Sequence, residues 1–125
     1  MVEWIMVALG GSLGAVSRYA LSDLVRRISD PSMPYGTLAV NVLGSFLLGF
    51  FLARELSSAR AGLEWRLFVT AGFLGAFTTF SAFSYETFTM LAEHDLHRAG
   101  LNIVLNVFLG LAGMWAGYSL GSPSG

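Results

Sequence analysis

The sequence has no cysteine, which removes disulfides, thiolate metal centres and cysteine nucleophiles at once. Lysine is missing too: all seven basic residues are arginine. Charge of either sign is scarce, at 12% of residues where a soluble domain carries about 25%. The net charge of −1 gives no electrostatic footprint for nucleic acid, so no such partner is expected. At 125 residues the chain has material for one domain, 1–125, and 54% of it is hydrophobic. That balance suits a chain dissolved in lipid.

The uncharged stretches are long. No Asp, Glu, Lys or Arg occurs from Pro31 to Ala53, from Leu67 to Tyr85, or after Arg98. A helix needs about 20 predominantly apolar residues to cross a hydrocarbon core about 30 Å thick. The pattern predicts an all-α membrane protein with four transmembrane helices, near 4–27, 35–56, 65–92 and 99–120. Arg18, Asp23, Arg26 and Arg27 interrupt the first, the late ones at the interface. "MVEW" carries no basic n-region and no convincing cleavage site follows, so helix 1 is expected to be retained. The connections "RRISDPSMP", "RELSSARAGLEWR" and "AEHDLHRAG" are short and rich in turn residues. "GGSLGA" lacks the preceding strand and the Lys-Ser/Thr of a phosphate loop. His94 and His97 read as a solvated loop. No nucleophile–base arrangement is visible, and the chain is not expected to be an enzyme.

Sorted by side of the membrane, the arginines balance. Arg54, Arg60 and Arg66 fall on one side, Arg26, Arg27 and Arg98 on the other, and Arg18 lies within helix 1. Orientation normally follows an excess of Lys/Arg in the cytoplasmic loops. The even count predicts insertion both ways and so an antiparallel pair of identical chains; an even split with some other orienting signal is the alternative.

Polar groups at depth usually face a partner, a cavity or a pathway. Arg18, Asn41, Glu86 and Asn106 stand out. Asn106 fits a bond across helices. Arg18 and Glu86 could pair with each other or reach opposite interfaces. Gly10 and Gly14, and Gly110, Gly113, Gly117 and Gly121, have the spacing of close-packed helix faces. "GFLGAFTTFSAF" (72–83) is different, because its glycines can loosen the helix and its threonines can bond freed carbonyls. Non-helical backbone at this depth must be buried in protein or line a cavity. Exposed carbonyls there would suit a hard cation, shared with an antiparallel twin. The alternative is an unbroken helix with small residues at a crossing. Phe80 and Phe83 share one helical face, and the positive edges of two rings can solvate a small anion. Ser81, Ser84 and Thr87 bring hydroxyls nearby.

"GGSLGAVSRY" (10–19), "GTLAVNVLGSF" (36–46) and "GFLGAFTTFSAFS" (72–84) together resemble the three signature stretches of the Fluc (CrcB) fluoride channels. The resemblance implies an antiparallel homodimer with two pores, passing fluoride passively out of a prokaryotic cell across its inner membrane. It implies an ion path along Phe80 and Phe83 with Asn41 near a pore mouth and hydroxyls from Thr79, Ser81 and Ser84. It also implies a structural sodium ion, not transported, held by the backbone carbonyls of Gly75 and Thr78 of both copies. Arg18 and Glu86 match characteristic positions, Arg18 near a vestibule. Ala76 stands where the family often has glycine, and Ala82 where it has threonine, so the hydroxyl track is expected to lean on its neighbours. The rival expectation is a small dual-topology proton-coupled exporter depending on Glu86; an assembly subunit without transport would leave the ring and hydroxyl cluster unexplained.

Overall fold

The computed structural model of the chain describes residues 1–58 and 62–123. Arg60 of the charge tally lies outside the described residues. Among the described residues four stretches are long and apolar enough to cross a membrane: Val2–Ile28, Tyr35–Glu55, Leu63–Ala92 and Leu96–Gly121. The chain is a multi-pass, all-helical membrane protein.

Helix α1 (Val2–Ile28) is 27 residues long, about 40 Å at 1.5 Å per residue. Its late charges are paired on the helix itself, with Asp23 accepting from Arg26 at 2.7 Å and from Arg27 at 2.8 Å. Helix α2 (Tyr35–Ser58) starts immediately after Pro34, whose carbonyl accepts from Leu38 N–H. The third span is composite. Helix α3 (Leu63–Leu67) runs into a π-helical segment, Phe68–Leu74, then a short α4 (Gly75–Phe77). Thr78 (φ −86°, ψ 158°) and Thr79 (φ −147°, ψ 115°) are extended, and α5 (Phe80–Ala92) follows.

The fourth span consists of α6 (Leu96–Val104), a π-helical segment Leu105–Leu109, and α7 (Gly110–Gly121). It begins three residues before the expected Ala99. The cause is local: the Asp95 carboxylate caps the helix by accepting from Arg98 N–H at 3.1 Å. A charge pattern alone assigned those residues to the loop.

Glycine decides how the spans meet. Helix α1 packs on the Phe68–Leu74 segment and α4, and α2 packs most extensively on α7. A methyl group at Gly10 would overlap the Phe68 carbonyl, and one at Gly14 the Phe73 carbonyl. On the other seam, Gly117 faces the Phe46 carbonyl and Gly121 the Phe50 carbonyl in the same way. Backbone thus touches backbone, as association in lipid requires. A small apolar cluster of Met33, Met90 and Ala99 closes one end, while Trp4, Val16, Phe108 and Trp115 point outward.

Candidate functional site

The site begins with two diverted hydrogen bonds. In a continuous helix Thr79 N–H would donate to the Gly75 carbonyl, and Ala82 N–H to the Thr78 carbonyl. Here Thr79 N–H donates to Asn41 Oδ1 at 2.8 Å, and Ala82 N–H to Thr79 Oγ1 at 3.1 Å. The second contact makes Thr79 the N-cap of α5. Gly75 and Thr78 carbonyls therefore lose their usual ladder donors. Between them, Ala76 O accepts from Arg18 Nε of α1 at 3.1 Å. The Thr78 hydroxyl turns back to the Leu74 carbonyl at 3.3 Å.

Asn41 grips the same threonine twice, since its Nδ2 also donates to the Thr79 carbonyl at 3.2 Å. Its second contact is Asn106 Oδ1 at 2.9 Å, reaching from α2 to the fourth span. Asn106 Nδ2 in turn donates to Asn102 O and Oδ1 at 3.0 and 3.1 Å, and Asn102 Nδ2 to Thr87 Oγ1 at 3.0 Å. Three spans are joined through this row. The bond across helices expected of Asn106 is present.

The rings of Phe80 and Phe83 lie 5.5 Å apart between centroids, tilted by 56°. Phe83 is half-buried, but Phe80 is 77% exposed on the single protomer. Thr79 and Ser81 hydroxyls are 3.2 Å apart, and Ser81 and Ser84 are both exposed. A cavity of about 590 Å³ gathers Asn41, Gly75, Thr78, Thr79, Phe80 and Phe83 along its wall. Ser81 and Ser84 are not among its lining residues. Among the described residues no cationic side chain lines that wall, so its donors there are amide, hydroxyl and ring edge.

Arg18 and Glu86 do not meet. Arg18 is held at Ala76 O, and Glu86 Oε2 accepts from Thr37 Oγ1 at 2.7 Å. Glu86 Oε1 is buried with no hydrogen-bond partner among the described residues. It lines a second cavity, of about 370 Å³, together with Arg26, Thr37, Glu93 and Arg98. Thr37 and Asn102 join these polar contacts without having been singled out in the sequence. Each sits four positions before a residue that was, Asn41 and Asn106, and so on the same helical face; that spacing was the available signal.

A sodium ion would need oxygen ligands, and among the described residues no group of three or more His, Cys, Asp or Glu converges. Carbonyl oxygens are the donor set in question. Gly75 and Thr78, stripped of their ladder donors, fit it, and Gly75 is exposed with only Thr70 O within contact of an added methyl group. One protomer supplies two such oxygens, fewer than a sodium ion takes up, which leaves the rest of the shell to other oxygen donors.

The model of the family "CrcB-like protein, Camphor Resistance (CrcB)" matches residues 5–118. A protein of Dehalococcoides mccartyi named "Fluoride-specific ion channel FluC" is 49% identical over 122 residues, 98% of this chain and 94% of its own. Proteins of the same name from Opitutus terrae and Geobacter sulfurreducens are 45% and 44% identical, each over 94% of this chain and 91% and 94% of theirs. Matching this closely along nearly its whole length, the chain belongs to the CrcB family of membrane proteins.

Proposed function

We propose that two oppositely inserted copies of this chain form a passive, fluoride-selective channel in the inner membrane of a prokaryote, exporting cytoplasmic fluoride and conferring resistance to it. The observation that carries the reading is the wall of uncharged donors beside the Phe80–Phe83 pair, in a chain whose relatives are named fluoride-specific channels. Fluoride is small and strongly hydrated, so a pore must replace its water without trapping it. Ring edges and hydroxyls can do so, whereas a fixed cation along the path would hold the ion. The high exposure of Phe80 suits a surface completed by a second copy. The balanced arginines suit that copy being inverted. Fluoride enters cells as neutral HF from acidic surroundings and dissociates inside; it must leave as the anion.

In this reading Phe80 and Phe83 solvate the ion, with Thr79, Ser81 and Ser84 supplying hydroxyls and Asn41 an amide. The carbonyls of Gly75 and Thr78 from both copies would hold a structural sodium ion, which supplies positive charge at the centre of the interface when bound. Arg18 holds the C-terminal end of α4. Glu86 is anchored to Thr37 at the second cavity.

Fluoride efflux from liposomes, followed with a fluoride electrode, tests the proposal. The wild-type chain should release fluoride without a proton gradient. Phe80→Ile and Phe83→Ile should abolish release while the dimer persists. Release that tracked an imposed pH gradient and vanished in Glu86→Gln would favour the proton-coupled exporter instead.

A further inference from the structure

The side-chain hydrogen bonds that lead from Asn41 into the fourth span and on to Thr87 all run one way. From Asn41 to Asn106, from Asn106 to Asn102 and from Asn102 to Thr87, the donor is always the amide nitrogen and the acceptor always an oxygen farther along. At the other end Asn41 Oδ1 accepts from Thr79 N–H. An amide has nearly the same shape either way round, so only its partners fix which end is oxygen. Turning the Asn106 amide over would set nitrogen against Asn41 nitrogen and oxygen against the Asn102 oxygens. Asn102 is 1% exposed and Asn106 is buried, so such a mismatch would go unrelieved.

The geometry points to Asn106, backed by Asn102, as a positioning residue that fixes the Asn41 amide and through it keeps the third span parted at Thr78–Thr79. Both Asn41 hydrogens are engaged, one by Asn106 Oδ1 at 2.9 Å and one by the Thr79 carbonyl at 3.2 Å. As it stands, Asn41 is a clamp on the Thr79 residue. It reaches an anion by releasing the longer Thr79 contact while Asn106 keeps hold of the other hydrogen. Without Asn106, nothing on the fourth span tells Asn41 which end to present to Thr79 N–H. The orientation of Asn41 then rests on Thr79 alone, and the contact that diverts Thr79 N–H from the Gly75 carbonyl is weakened. The effect on conduction rests on the fluoride-channel reading, whereas the clamp is a property of one protomer.

Two measurements on the full-length protein test this. In protein labelled with 15N-threonine, the Thr79 amide proton should move upfield in Asn106→Leu, as its bond to Asn41 lengthens. Fluoride efflux should fall roughly three- to fifteenfold, the span one interhelical polar bond accounts for. Asn102→Leu, in which Asn106 keeps the Asn102 backbone carbonyl, should move both readings the same way but less. It carries the test alone if Asn106→Leu does not assemble. A Thr79 resonance unmoved in these variants overturns the clamp, even where efflux slows. A moved resonance supports it, even where the wild-type protein passes no fluoride, which would defeat the channel reading alone.

Discussion

At the scale of single residues, position in the hydrogen-bond ladder matters more than residue type. Thr78 and Thr79 are adjacent and chemically identical, yet Thr78 turns its hydroxyl back on Leu74 while Thr79 caps the next helix. Replacing the cap, as in Thr79→Ala, should cost about 1 kcal/mol of stability, and Thr79→Ser should restore most of it, read as a thermal midpoint in detergent. Asp95 gives a pH-dependent counterpart outside the spans. Its carboxyl lies below the usual carboxylate range, chiefly because it accepts from Arg98 N–H. A group so lowered contributes stability above its unfolded pKa and loses it as pH falls through the folded value. Asp95→Ala should therefore lower the melting temperature at neutral pH and make no difference in strong acid, while Asp95→Asn, a cap that does not titrate, should stay near wild type at neutral pH and escape the acid-linked loss at this site. Residue type, spacing and the family resemblance singled out Asn41, Phe80 and Phe83 in the sequence, and the structure brings the three to one cavity wall. The sequence did not reveal Thr37 and Asn102, whose meaning lies in partners 49 and 15 positions away.

At the scale of elements, apolar length and charge boundaries made the four spans legible, and glycine spacing marked the seams. What the pattern could not give was the partner of each glycine, because a small residue records closeness and not which surface comes close. Gly14 meets the Phe73 backbone, whereas Gly100, equally helical, has no atom within 4 Å of an added methyl group. Gly14→Ala should destabilise by about 1–3 kcal/mol through overlap with rigid backbone. Gly100→Ala should instead stabilise by up to about 1 kcal/mol through helix propensity. Chemical unfolding in mixed micelles separates the two, and similar midpoints would mean that the α1 seam is looser than described. The junction of α4 and α5 was harder to read, since the Ala82 N–H that leaves the ladder does so for a side chain three residues back.

For the whole molecule, the cysteine-free sequence provides a clean background for a test of orientation. A single cysteine at the exposed Glu93 should be labelled in about half the copies by an impermeant reagent on intact cells, and in the remainder after permeabilisation. Labelling of all copies, or of none, would remove the inverted dimer. On the proposed reading, in which carbonyls of two copies share a sodium ion, replacing sodium with a bulky organic cation should weaken the dimer and slow fluoride release. Assembly was the least legible level, because an even count of arginines limits the orientations without saying which surfaces meet.

The π-helical segments at Phe68–Leu74 and Leu105–Leu109 have a consequence for how this chain tolerates change. Such a turn carries an additional residue, so deleting one residue there would let an ordinary helix close over the gap. The wide turn has already absorbed that residue, so everything downstream would keep close to its present phase around the axis. In the fourth span, Gly117 and Gly121 would still face Phe46 and Phe50. Length within these two segments is thus more forgiving than in α1 or α2, where one residue removed would turn everything beyond it by about 100° within the span.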